Sequence, residues 1–481
     1  VSVWQPVIGL EVHCQLGTAT KLFCGCRNAF GEAPNTLVCA VCSGQPGALP
    51  VLNREALDLA LRAALALSCD IASLTRFDRK HYFYCDLPKG YQISQLERPY
   101  CTGGGLTLAS GKRVRLVRIH MEEDAGKAIH DRGQATLVDL NRAGVPLIES
   151  VTAPDLSSPA EAREYLTALK EILQFAGVSE CDMEKGSLRC DVNVSVHRAG
   201  EPLGTKVELK NLNSFANVEA ALEHELARQV AALESGDPAR RIVQETRGWD
   251  AERGESRSLR SKENAHDYRY LPDPDLPAIL IEPARVERVR AQLPELPAAR
   301  RARYTKTFGL APADAAVLTG SRALADFFEA SVRHAHDPRE VAKWLSNELL
   351  ALFSDPGSGV TSIDELPFKP YDFAELVELG SAGRTNRSGA RTILRAMLSS
   401  PRSPAQLLRE LGLEQVDDAA ALERWCREAL VGKERVLADV RAGNEKALGA
   451  LIGPVMRLSG GKANAQAVRE MLVRLVAELA P

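Results

Sequence analysis

Residues 7–16 read VIGLEVHCQL, and the order of side chains in this stretch decides what kind of fold the chain builds. Ile8, Leu10, Val12 and Leu16 alternate with Gly9, Glu11, His13 and Gln15, the two-residue period of an extended strand with one face buried. Glu11 and His13 then stand side by side on the other face, a carboxylate and an imidazole placed as a divalent cation or an acid/base pair requires. A solvated strand face is the ordinary explanation for such a pair, and three later stretches shift the balance toward chemistry.

The first is VRLVRIHMEEDAGK, Val114 to Lys127, where alternation puts Arg118, His120 and Glu122 opposite Ile119 and Met121. Glu123, Asp124 and Lys127 fall at its end, and the pattern leaves open which glutamate turns toward the first strand. The second, SLRCDVNVSVH, sets Leu188, Cys190, Val192, Val194 and Val196 against Arg189, Asp191, Asn193, Ser195 and His197. The third, GTKVELKN, sets Val207 and Leu209 against Lys206, Glu208 and Lys210. A sheet face built from these rows gathers acids for a metal and lysines for phosphates, and reads as an active face.

Helical stretches lie among the strands. Asn53 caps Leu57, Leu61 and Leu65 at helical spacing, to an end near Ser68; Ser158-Pro159-Ala160-Glu161 opens a second helix in capping-box manner, with Tyr165, Leu169 and Ile172 inward and Gly177 as its stop. Phe215, Val218, Leu222, Leu226, Val230 and Leu233 mark a third, ending at Gly236. This grouping predicts an α+β fold, an N-terminal mixed or antiparallel sheet domain with covering helices, over residues 1–292. Beyond it the composition turns helical, with breaks at Asp355-Pro-Gly-Ser-Gly and at 399–404, SSPRSP, predicting a helical connector over 293–400 and a helical tail over 401–481.

Cys24-Gly-Cys26 and Cys39-Ala-Val-Cys42 flank a Gly/Pro/Asn-containing segment that can double back, so that four thiolates converge on a structural Zn2+ with no open position. Cys14 lies outside this pattern and reads as a core residue. Between Arg76 and Gln95, Arg76, Arg79, Lys80 and Lys89 are interleaved with Phe77, Tyr82, Phe83, Tyr84 and Tyr91, a mixture that suits phosphates and stacked bases as well as cationic strand edges.

The 481 residues carry 45% hydrophobic and 26% charged side chains and a formal net charge of -3, so any phosphate contact must come from local patches rather than global charge. No run approaches a membrane span and no secretory signal is evident, which predicts a cytoplasmic protein with reduced cysteines. A GxxxxGK[ST] phosphate loop is missing, as are GxSxG and any nucleophile and base set for hydrolysing glutamine.

In order along the chain, VIGLEVHCQL, KLFCGC with CAVC, FDRKHYFYCDLPKGYQISQ, HMEEDAGK, VDLNRAGVPLIE, GSLRCDVNVS, GTKVELKNLNSF, DYRYLPDPDLP and KALGALIGPVMRLSGGKANAQ resemble the B subunit of the bacterial aspartyl/glutamyl-tRNA amidotransferase. Cys85 and His81 depart from the Pro and Asn more usual there. The resemblance implies an ATP-dependent carbon–nitrogen ligase acting on misacylated tRNA. The side-chain carboxylate of Asp-tRNA(Asn) or Glu-tRNA(Gln) is phosphorylated and then amidated. Ammonia comes from an amidase (A) subunit, and a small C subunit completes a heterotrimer. By resemblance Glu11, His13 and Glu123 hold Mg2+, Lys80, Tyr82 and Lys89 lie near ATP, Asp191, Glu208 and Lys210 share the face, and the tail grips tRNA. Two other classes fit parts of the pattern. A ligase acting on a small carboxylic acid would not need the tail, and a non-catalytic zinc-knuckle RNA-binding protein would leave Glu11, His13 and Glu123 unexplained.

Overall fold

The computed structural model describes residues 4–129, 135–261, 268–415, 419–433, 436, 445–460 and 462–478. The strand predicted over 7–16 runs Trp4–Gln15, in the middle of a ten-stranded sheet. From one edge the order is Glu255–Ser261, Glu245–Asp250, Val207–Lys210, Leu188–Arg198, Trp4–Gln15, Pro146–Thr152, Arg113–Glu123, Cys101–Thr102 and Asp70–Ile71. Gly105–Thr107 also pairs with Arg113–Glu123. Neighbours run antiparallel except Val207–Lys210 and Glu245–Asp250, which run parallel.

Ile8, Leu10, Val12, Cys14 and Leu16 are buried in one core with Leu57 and Leu61 of the Arg54–Ala66 helix, Leu166 and Leu169 of Pro159–Phe175, and Val218 and Leu222 of Phe215–Ser235. At about 1.5–3 kcal/mol for each buried aliphatic side chain, Ile8, Leu10, Val12 and the adjoining Leu16 supply roughly 6–12 kcal/mol. Caps fix where the helices begin. Asn53 Oδ1 accepts from the backbone N–H of Glu55 at 2.9 Å, and Ser158 Oγ from that of Glu161 at 3.1 Å. The predicted capping box is only half made, because the Glu161 carboxylate accepts from Ser157 N–H at 2.7 Å and from Lys112 at 2.7 Å instead of turning back to Ser158. Gly177 and Gly236 end the second and third helices with φ of +65° and +62°.

Register decides what shares the polar face. His13 lies across from Glu149 on one neighbour and Arg189 on the other, Glu149 lies across from His120, and Glu11 lies across from Asp191. Opposite residues of paired strands point to the same side, so four strands deliver these groups together.

The chain forms two compact units, Val1–Pro297 and Ala298–Pro481. Among its described residues the second unit contains helices and no named strand, and its buried apolar side chains gather into two clusters, one running from Tyr304 to Leu408 and the other from Leu422 to Val476. No described helix is long and apolar enough to cross a membrane.

Candidate active site and metal centre

The polar face of the sheet opens into a cavity of about 500 Å³. Glu11, Glu122, Glu149, Asp191 and Glu208 line it as acids, Lys80, Arg118, Lys206 and Lys210 as cations, and Tyr268 and Tyr270 supply ring walls. Its centre is a knot of two imidazoles and two carboxylates. His13 Nε2 is 3.2 Å from Glu149 Oε2 and 3.9 Å from Glu122 Oε1; His120 Nε2 is 3.5 Å from Glu149 Oε2 and 3.6 Å from Glu122 Oε2. Ser94 Oγ donates to Glu122 Oε2 at 3.0 Å, and Asn193 Nδ2 to Glu11 Oε1 at 2.9 Å.

Neighbouring charge outweighs burial at His13, His120 and Glu149. Burial works against charging His120, yet its contacts with Glu122 and Glu149 push it up to about 9. His13 is raised in the same way, burial being outweighed by Glu149. Burial alone would raise the Glu149 carboxyl, but His120 and His13 hold it well below the usual carboxylate range. Glu11 goes the other way. Its carboxyl is raised by burial and by the negative charge of Glu149, Asp191 and Glu208, a local excess that a cation would relieve.

His13, Glu122 and Glu149 each offer a ligand atom, all within 4.8 Å of one another. An imidazole and two carboxylates in an open cavity suit a divalent cation that keeps positions for other ligands. Lys80 lies with its ammonium 4.9 Å from the centroid of the Tyr268 ring, and no carboxylate of the described residues comes within 4.0 Å of it. Lys210 is ion-paired to Asp191 and lies 3.4 Å from Glu208 Oε1.

The second group of ligands is far softer. Cys24, Cys26, Cys39 and Cys42 bring four sulfurs within 4.8 Å of one another, and the backbone N–H of Cys39 points at Cys42 Sγ at 3.1 Å. The Cys42 thiol is pushed down to about 4, chiefly by a hydrogen bond with Cys24, with the buried Lys21 ammonium adding to the effect. Lys21 is itself anchored on the Leu37 carbonyl at 2.7 Å and the Leu140 carbonyl at 3.3 Å. Four converging thiols with a cation at hand can hold a metal ion.

Residues 6–287 match the family described as the GatB/GatE catalytic domain, and residues 326–476 match that described as the GatB domain. The B subunit of the aspartyl/glutamyl-tRNA(Asn/Gln) amidotransferase of Carboxydothermus hydrogenoformans is 48% identical over 484 residues, covering 99% of both chains. Its counterpart from Moorella thermoacetica is 48% identical over 98% of this chain and 99% of its own. The Thermodesulfovibrio yellowstonii protein of the same description is 44% identical over 99% of this chain and all of its own. The chain belongs to the GatB family.

The structure sorts the residues that the GatB resemblance singled out. Glu11, His13, Lys80, Asp191, Glu208 and Lys210 all reach the cavity. Glu123 does not. Alternation along Arg113–Glu123 turns it away from His120 and Glu122, and its carboxylate is ion-paired with Lys89 and accepts the Ile93 N–H at 3.0 Å. Glu122 stands where the resemblance put Glu123, and Lys89, held by Glu123, does not line the cavity either. Tyr82 does not line the cavity; its ring meets that of Tyr268 edge-on with centroids 6.2 Å apart. Glu149, Tyr268 and Tyr270 were missed. Leu147, Glu149 and Val151 do alternate with Ile148 and Ser150 in Pro146–Thr152, the signal that could have found Glu149.

Proposed function

We propose that this GatB-family chain is the tRNA-dependent subunit of an amidotransferase. It uses ATP to phosphorylate the side-chain carboxylate of Asp on tRNA(Asn), of Glu on tRNA(Gln), or of both, and ammonia then displaces phosphate to leave the amide. The observation that carries the reading is the cross-strand row of His13, Glu149 and His120, with Glu122 beside it and Lys80 across the same cavity. A free carboxylate is a poor acyl donor, and making it one requires charge to be balanced on a transferring phosphoryl group.

His13, Glu122 and Glu149 are the residues that would hold Mg2+ or Mn2+. The ion would supply neutralisation of phosphate oxygens, and the excess acidity around Glu11 fits its presence. Lys80, held over Tyr268, offers a cation to phosphate oxygens. Asn193 fixes the Glu11 carboxylate at the edge of the ligand group, and Lys210 balances Asp191 and Glu208. The four cysteines would hold Zn2+ as a closed structural knot that fixes the loop between the first strand and the first helix.

In this reading ammonia comes from an amidase partner, and a small third subunit completes a heterotrimer. The helical unit serves as connector and tail. Because Leu407 and Leu408 pack in the first of its clusters, we place the break after Leu413 rather than at residue 400. The tail carries the turn at Gly460 and Lys462, while Gly461 lies outside the described residues. The test is to give the assembled complex each misacylated tRNA in turn, with ATP and glutamine. Amide formed on either tRNA supports the reading. ATP turnover that ignores misacylated tRNA and responds to a small carboxylic acid would replace it.

A further inference from the structure

We infer that His120 is a positioning residue of the divalent-cation site, one whose Nε2 holds the carboxylates of Glu122 and Glu149 in the arrangement in which they and His13 take the ion. This rests on the reading of that site given above. His120 is 4% exposed and stands directly across the strand pair from Glu149. Its Nε2 lies 3.6 Å from Glu122 Oε2 and 3.5 Å from Glu149 Oε2, so one imidazole engages both carboxylates. It does not belong to the ligand group itself, whose three members have ligand atoms all within 4.8 Å of one another. The two imidazoles therefore flank the acid pair, with His13 among the ligands and His120 outside them.

Two details favour an orienting part over mere packing. The Glu122 oxygen that meets His120 is the one that also accepts from Ser94 Oγ, which leaves Oε1 turned toward His13. A carboxylate with one oxygen fastened in this way presents the other in a fixed direction, the usual service of residues around a metal's own ligands. The second detail is Nδ1 of His120, which is buried and has no hydrogen-bond partner among the described residues. An orphaned buried polar atom weakens a fold, and an apolar side chain at this strand position would avoid it. The imidazole is accounted for by what its other nitrogen does.

The experiment measures Mn2+ binding to the full chain by calorimetry, without ATP or tRNA, for wild type, His120→Gln, His120→Asn and Glu149→Gln. A glutamine amide nitrogen reaches the place of Nε2, whereas that of asparagine stops near Nδ1, short of the carboxylates. Positioning predicts that Gln keeps Mn2+ affinity within about threefold while Asn loses on the order of 10–100-fold, with the two metal-free variants unfolding at similar temperatures. Asn binding as tightly as wild type would overturn the inference. So would equal losses in Gln and Asn, which would make the imidazole either a ligand or a purely structural group. Glu149→Gln separates the two levels of the argument. If it leaves Mn2+ binding intact, the site reading itself fails; if it abolishes binding while His120→Asn changes nothing, only the part given to His120 fails.

Discussion

The N-terminal unit holds two groups of metal-ligating side chains that differ in every property bearing on use. His13, Glu122 and Glu149 offer one nitrogen and two carboxylates, three ligands in a cavity of about 500 Å³ that also holds Lys80 and Lys210. Cys24, Cys26, Cys39 and Cys42 offer four sulfurs on a single loop, all within 4.8 Å of one another, the number a four-coordinate metal takes. In the proposed reading the first would leave coordination positions for phosphate oxygens, and the second would leave none. Ligand softness and ligand count together divide the labour: an open, hard site can take part in chemistry, while a closed, soft one can only hold chain together.

That contrast breaks if damage to the two groups has the same consequence. Glu149→Gln should give the largest effect, lowering tRNA-dependent ATP cleavage by at least about 100-fold while basal glutamine hydrolysis by the proposed amidase partner survives. Cys39→Ser should do the reverse. We expect it to destabilise the chain by on the order of 2 kcal/mol or more in denaturant titration, with amidation by the folded fraction within about threefold of wild type. Catalytic loss without loss of stability in Cys39→Ser would erase the distinction.

A pH titration of the metal-free chain sharpens the contrast further. His120 sits at about 9 against an ordinary 6.5, so its contribution to stability is complete below 6.5 and is lost as pH rises through 9. Glu149, held below its ordinary 4.5, contributes fully above that value and loses its contribution as pH falls beneath it. The contribution of this pair to stability should therefore be greatest between about 4.5 and 6.5 and decline on the alkaline side. Saturating Mn2+ should flatten that alkaline decline, since a cation replaces the proton as partner of the carboxylates. An unchanged slope with Mn2+ would place the ion elsewhere. The smallest effect belongs to Glu123→Gln, which should leave Mn2+ affinity within about threefold, because the carboxylate of Glu123 is spent on Lys89 and Ile93 N–H.

The two groups were also unequally legible in the sequence. Cysteine spacing is local, and the C-x-C and C-x-x-C pairs were enough to bring the four thiols together on paper. The open site depends on register between strands, and the pairing of His13 with Glu149 joins positions more than a hundred residues apart, which no local pattern carries. Alternation alone turns Glu11, His13, His120 and Glu122 to one face, as the structure has them; the family resemblance named Glu123 instead, whose carboxylate meets Lys89 and Ile93 N–H. Glu149 escaped because its strand is short and its neighbours on the same face, Leu147 and Val151, are apolar, so the row looks like core. The α+β architecture and the helices over the apolar face follow from periodicity, and the sheet order does not. The parallel pairing of Val207–Lys210 with Glu245–Asp250, across an intervening helix, has no signature in either strand.

The most direct test is amidation of misacylated tRNA by the assembled complex with ammonium in place of glutamine, so that the ammonia supply assigned to the proposed amidase partner is bypassed. We predict that His13→Ala and Glu122→Ala each reduce amide product by at least about 100-fold under these conditions, with the variant chains still folded and assembled. Near-normal product from either variant would remove the His13, Glu122 and Glu149 group from the reaction.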